Sequence, residues 1–543
     1  MGYLFLSIGN DDTASMKRFL NTCVMVVRYV CGPNVLELKN NTNKSSLITH
    51  LIDCWTNLKN NDQAMFVEAI EQLMVNPDLT ASTVQGLREA VEKMQYLTDC
   101  SKIHGLLLVQ NKFLGLYSSQ NAKVLSCTDT LFSILLSEST KTVNTKPEIE
   151  PDSEDEFYSP STTPDDNIQI LQTESHENFI YSYQILLSGN DYIPKCIPHI
   201  LHICPITEGI NLLLFIETGS IVVSSNLYDS FLYLHNLQSV QIQRDVETLR
   251  PVFENLDTSI KKLSDALKKM KSNSVEAALK QLNRYWDLMR KKYQEFIKAR
   301  LAESLLRAES MTSGLLDIFK EILKVTAYDK ELMKTTQGPA NESSKIIMEK
   351  LSTFDEFLKV KAMKNFSLGS KTSLTINKYL EEFPGLVHFI YIDRTNHRVT
   401  APNLDFGMDE TLALTKQKIW SMISFSRTHL EEGHLSIIWK DTTFSYAYFV
   451  WFEDTSGSPV KPTVFPTHAS KPLPQPGILS GDFYLKLKEA CFPKMSPNKI
   501  RCYELYCVHL GLATAQCVLE HARRIAATIW ELKGHPDHPI DLL

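Results

Sequence analysis

The chain has 543 residues, 43% hydrophobic and 22% charged, with a formal net charge of -7. At roughly 150 residues per domain this predicts three or four globular domains, and the acidic balance excludes a chain held on nucleic acid by its overall field. Eleven cysteines without a CxxC pair argue against a disulfide framework or zinc ribbon and for reduced thiols.

No stretch reaches the roughly 18 continuous apolar residues of a membrane span. The first residues lack the charged segment of a signal peptide. Gly2 is followed by Leu6 where a myristoylation pattern needs Ser or Thr. Membrane contact is therefore expected through partners or a surface patch.

In chain order, residues 3–8 are a short apolar run that reads as one strand. Residues 13–31 read as a helix, with Met16, Phe19, Leu20, Cys23, Val24 and Val27 near a 3.6 period. Asp12 or Thr13 caps it and Gly32-Pro33 ends it. A lone strand cannot satisfy its backbone. Residues 3–8 are thus expected to join a partner's sheet, or to be the trailing strand of a domain that begins upstream. Residues 45–100 read as two or three amphipathic helices. The period then falls to two: 105–109, a turn at 110–112 and 113–117 predict a hairpin, with a helix near 128–136.

Residues 140–177 crowd Glu148, Glu150, Asp152, Glu154, Asp155 and Glu156 beside Pro147, Pro151, Pro160 and Pro164. Such a composition buries too little apolar area to offset its ordering entropy, so a disordered acidic insert is expected. Ser153 and Ser159 are candidate phosphorylation sites there; a plain solvated linker is the simpler reading. Strand character returns at 179–187, 197–203 and 210–216, and a helix-rich stretch spans about 222–365. Its basic clusters (Lys261-Lys262, Lys268-Lys269, Lys271, Arg290-Lys291-Lys292) alternate with acids, which predicts a solvated face. The sharper alternative is contact with anionic lipid or an acidic partner. Further on come strand-turn-strand over 386–401, a helix over 408–429, a hairpin of 435–440 with 444–451, and a Pro-rich loop over 459–476. Helices near 480–491 and 498–532 finish the chain. The order in 103–240 is similar, an internal repeat of topology rather than of sequence.

Catalytic signatures are missing. Leu368-Gly369-Ser370-Lys371-Thr372 imitates a phosphate loop, but Ser370 separates Gly from Lys and the upstream glycine is lacking. His429 and His434 are five apart across a helix end and cannot share a face as zinc ligands. Cys517 and His521 are i,i+4 but only two, and His535 and His538 have no third ligand nearby. No GxSxG elbow occurs. Trp286, Trp420, Trp439, Trp451 and Trp530 read as core. We therefore assign no catalytic, cofactor-binding or metal residue and no cofactor, and expect a binding or assembly protein rather than an enzyme.

Tyr379 to Thr395 (YLEEFPGLVHFIYIDRT) closely resembles the start of the C-terminal domain in the Hermansky–Pudlak syndrome type-one family. Val399–Pro402, Lys418–Ser421, Tyr448–Glu453, Leu479–Tyr484 and Arg501–Leu505 continue the likeness in order. Upstream, Leu107–Lys112, Gly209–Leu212, Asp355–Lys361 and the linker's Glu156–Pro160 fit too. The resemblance implies an α+β chain of tandem longin-like domains, each an antiparallel-rich sheet flanked by helices. The expected partition is a first-longin remnant with helices (1–100), a second longin-like domain (101–240) carrying the insert, a helical connector (241–365) and a third longin-like domain (370–543). Residues 3–8 would be the last strand of a shortened first domain. The resemblance further implies a non-catalytic subunit of a guanine-nucleotide exchange factor for Rab GTPases of the thirty-two/thirty-eight class. Its obligate partner would be the Hermansky–Pudlak syndrome type-four protein. The complex would act from the cytoplasm, peripherally on endosomal, lysosomal or lysosome-related membranes such as the melanosome's. The alternative is a longin-type trafficking scaffold or Rab effector without exchange.

Overall fold

A computed structural model describes residues 5–9, 12–122, 125–143, 179–189, 196–270, 272–363, 383–404, 410–464, 473–479 and 481–532. Most of the acidic insert, the phosphate-loop imitation at 368–372, and His535 and His538 lie outside the described residues.

Helices α1 (Thr13–Cys31), α2 (Glu37–Asn40), α3 (Thr42–Asn61) and α4 (Gln63–Phe66) precede a two-residue strand, β1 (Ile70–Glu71), and α5 (Pro77–Thr98). Then come β2 (Ile103–Val109), β3 (Lys112–Ser118), α6 (Cys127–Val143), β4 (Tyr181–Leu187), β5 (Ile197–Thr207), β6 (Ile210–Glu217) and α7 (Ile221–Gln241). Helices α8 (Val246–Leu267), α9 (Asn273–Ala299), α10 (Ala302–Ala327), α11 (Lys330–Leu351) and α12 (Asp355–Met363) follow. The last part is β7 (Leu386–Asp393), β8 (Arg398–Thr400), α13 (Glu410–Glu431), β9 (Ser436–Lys440), β10 (Phe444–Asp454), α14 (Phe483–Cys491), β11 (Ile500–Leu510) and α15 (Ala515–Leu532).

The strands form two sheets with one layout. The first runs β3-β2-β6-β5-β4; the second runs β8-β7-β11-β10-β9, with β1 added beyond β8. Taken in chain order within each set of five, both are arranged second-first-fifth-fourth-third, and all ten strands pair antiparallel. A repeat of topology is therefore present, and its fifth strand in the second sheet is β11, over residues that read as helix in the sequence.

Each sheet is covered on both faces. Leu106, Leu108, Leu201, Ile203, Leu213 and Phe215 meet α1, α3 and α6 on one face of the first sheet. Their neighbours Ile103, Leu107, Ile200, Leu212, Leu214 and Ile216 meet α5, α11 and α12 on the other. Period-two alternation thus feeds two cores rather than a core and solvent. At Gly105 and Gly115 an added Cβ would stand 3.0 Å from Val91 and 3.2 Å from Thr83, so α5 approaches because side chains are missing there. The second sheet packs α13, α14 and residues 64–69 on one face and α15 on the other. Helices α7 to α10 close around their own core of Leu227, Leu256, Leu282, Trp286 and Phe319.

Three expectations need correction. Residues 5–8 belong to no strand; Leu6 and Ile8 are exposed, and only Phe5 packs against the core shared by α1 and α3. Residues 1–100 do not pack as a unit of their own, because α1, α3 and α5 all cover the first sheet. Residues 500–510, read as part of a helix, form the central strand β11. A strand buried on both faces shows a continuous apolar run, which periodicity alone cannot tell from a buried helix.

Among the histidines sealed in these sheets are His104, His199, His202 and His388. Burial pushes His104 and His388 down to about 3, and His199 and His202 down to about 4. The folded rings stay neutral where unfolded ones, near 6.5, take a proton. Below pH 6.5 the unfolded chain binds more protons, so stability falls with pH until the folded values are reached. The slope is about 1.4 kcal/mol per pH unit for each such ring. Melting temperature should fall from pH 6.5 to 5. His202→Gln, which can still engage Ser182 and Thr336, should fall less steeply; equal slopes in both proteins would refute the assignment.

Candidate interdomain cleft and its junction

The two sheets meet through residues 62–73. Asp62 caps α4, accepting from the amides of Ala64 and Met65 at 2.8 and 3.2 Å. The chain then turns at Glu68, whose φ is 54°. β1 pairs in parallel with β8, and the Ile70 amide donates to the His397 carbonyl at 2.8 Å. One residue later, Gln72 bridges to Phe113 of β3, and the Leu73 amide donates to the Phe113 carbonyl at 2.8 Å. β8 and β3 hold equivalent edge positions in their sheets, so one short segment joins the same edge of both repeats. Lys112 reinforces the seam, 2.7 Å from Glu71 and 3.3 Å from Asn403.

Buried charged side chains hold this segment. Arg394 donates Nη1 and Nη2 to the carbonyls of Glu68 and Val67 at 3.2 and 3.0 Å. Its Nε lies 2.6 Å from Glu504, and both side chains are fully buried. Glu504 also accepts from Tyr448 and Tyr506, each at 2.7 Å, and from Tyr484 at 3.1 Å. Burial pushes the Glu504 carboxyl up, but Arg394 and the tyrosine hydroxyls outweigh it and hold the carboxyl below its ordinary value. Arg427 donates to the Phe66 carbonyl at 2.9 Å. Glu68 accepts from the amides of Ile478 and Leu479 at 2.7 and 3.1 Å.

Beside the seam lies a cleft of about 1520 Å³, walled by α1, α5, the start of α6, the β7–β8 turn and Ile478, Leu479, Gly481 and Asp482. At its α6 wall Asp129 is saturated, accepting from Tyr29 at 2.7 Å and from the amides of Ser188 and Gly189 at 2.8 and 3.0 Å. Burial raises its carboxyl. Cys127 lines the cleft, and burial pushes its thiol up to about 11, so it stays protonated at neutral pH. His397 faces Asp482 at 3.3 Å. These groups are spent on holding loops, and the arrangement is suited to binding.

The residues weighed for metal chemistry do not assemble a centre. His429 and His434 have ring centroids 5.8 Å apart. Cys517 Sγ is 3.7 Å from His521 Nε2, and His509 Nε2 is 3.2 Å from His521 Nδ1. Among the described residues no three ligating side chains are grouped so as to hold a metal. His509 lies on β11, whose residues read as helix in the sequence, so spacing alone does not bring it beside His521. Trp286 and Trp451 are core, whereas Trp420 and Trp439 are half-buried. The junction residues Glu68, Arg394 and Glu504 also went unnoticed, although a lone Glu inside the aromatic run around Tyr503–Tyr506 is a usable signal.

Residues 100–234 match the family model of the second longin domain of FUZ, MON1 and HPS1, and residues 385–533 match that of their third longin domain. The matches coincide with the two repeats: β2 to β6 with most of α7, and β7 to α15.

Removing one member of a buried ion pair strands the other, at a cost of about 3–5 kcal/mol. Arg394→Met should lower unfolding free energy by that amount in urea titration. Lys280→Met, which breaks an exposed pair with Glu276, should leave the midpoint unmoved. Equal effects would show that Arg394 does not anchor the junction.

Proposed function

We propose that this chain, a tandem-longin relative of FUZ, MON1 and HPS1, is a non-catalytic subunit of a guanine-nucleotide exchange factor for Rab GTPases. The observation that carries this reading is the joining of two like-built sheets through one short segment, beside a cleft whose carboxylates are committed to loop amides and His397. Such a body offers rigid sheet borders and helix faces, the means by which one protein holds another's loops. β9 is the far border of the second sheet, with no strand beyond it among the described residues and Ile438 exposed on it.

Exchange makes no demand for bond chemistry here. The complex has to bind nucleotide-free Rab better than the GDP form by keeping the switch loops from magnesium and phosphate. Moving a population from 1:99 to 99:1 takes about 5.5 kcal/mol of differential binding, within reach of a few buried contacts. The resemblance to the Hermansky–Pudlak syndrome type-one family supports a Rab of the thirty-two/thirty-eight class as substrate and the type-four protein as partner. It supports action at lysosome-related organelles. No described helix is long and apolar enough to cross a membrane, so attachment through partners suits the chain.

Release of a fluorescent GDP analogue from the purified Rab measures the reading directly. The heterodimer should accelerate release, and the lone chain should not. If the heterodimer binds GTP-loaded Rab stably yet leaves release unchanged, the chain is a trafficking scaffold or effector and the exchange reading fails.

A further inference from the structure

The cleft exceeds the roughly 300–1,000 Å³ of an ordinary small-molecule site. Its charged lining is Arg28, Arg88 and Arg398 against Asp393 and Asp482. Both aspartates are engaged: Asp482 faces His397 and caps α14 through the Leu485 amide, and Asp393 accepts from the Thr395 amide at 3.0 Å. Arg28 and Arg88 are exposed, one on each helical wall. Arg398 stacks between them and the seam, its guanidinium 3.8 Å from the Phe113 ring centre. Three cationic and two anionic side chains leave the lining with an excess of one positive charge, on a chain of net charge -7.

Two polar atoms of cleft-lining residues are buried without a hydrogen-bond partner, Arg398 Nη1 and His397 Nδ1. His397 is 6% exposed. Arg398 Nη1 is a donor that meets no acceptor among the described residues. Between the arginines the walls are apolar, with Val24, Val84, Leu116 and Ile478.

We propose that the cleft receives an extended acidic peptide segment of a partner protein. Carboxylates of the segment pair with Arg28 and Arg88, and apolar side chains lie against the walls. The inference rests on the cleft and not on nucleotide exchange, so either can fail without the other.

The probe is a fluorescein-labelled decapeptide alternating Glu and Leu, followed by anisotropy with the full chain. It should bind, and binding should weaken as salt rises from about 0.05 to 0.3 M. The exposed-site double variant Arg28→Glu/Arg88→Glu should lose about tenfold or more in affinity at an unchanged melting temperature. If that variant melts lower, Arg88→Gln alone replaces it and should still weaken binding. Equal affinity in the variants, equal binding of a Lys/Leu decapeptide, or no binding at millimolar peptide would overturn the proposal. Tighter binding of a peptide of this chain's residues 146–160 would also overturn it, by making the occupant the chain's own acidic stretch.

Discussion

The joining of two sheet edges by residues 70–73 is the constraint on which the rest of the architecture depends. An open sheet edge presents unpaired amides and carbonyls, which must find partners or stay in water. Here β8 and β3, the same strand position in two copies of one layout, are both served by a single segment less than two turns of a helix long. The segment cannot leave one edge without exposing groups at both. The two domains are thereby held in one relative orientation, and the cleft between them is a feature of the fold.

That seam is secured by charge, against the usual cost of burying it. Taking Arg394 and Glu504 out of water is repaid only when geometry is good and remaining hydrogen-bonding capacity is filled. Glu504 meets this condition with one guanidinium and three tyrosine hydroxyls, and Arg394 meets it by donating also to two backbone carbonyls of the incoming segment. The network therefore reads out whether residues 67 and 68 are in place. The same logic explains the saturated Asp129 and Glu68: carboxylates act here as acceptors for loop amides. They are not poised to move protons.

Two kinds of surface result. The inner surface is the cleft, arginine-lined and partly apolar. The outer surface includes the border at β9, beyond which no strand lies among the described residues, and the helices that cover each sheet. Both suit recognition of other polypeptides, and the second and third longin domains matched by residues 100–234 and 385–533 supply the frame that presents them. The helical bundle of α7 to α10 lies outside both matches, save for most of α7, and carries its own core.

Much of this was legible in the sequence because it is written in short-range terms. The β2–β3 and β9–β10 hairpins follow from period-two runs and local turn residues, and α1 and α5 from caps and apolar spacing. The repeated order of elements followed from the same signals, and with it the α+β class. What tertiary structure decided depends on distant partners. β1 is two residues long, too short to have a pattern, and exists because β8, more than three hundred residues away, offers an edge. β11 reads as helix because helices on both sides bury nearly the whole strand, so that it shows no alternation of exposed and buried residues. Arg394 and Glu504, 110 residues apart, are ordinary charges until folding removes water from both. Periodicity records which residues a segment must hide; only the assembled chain determines what they are hidden against.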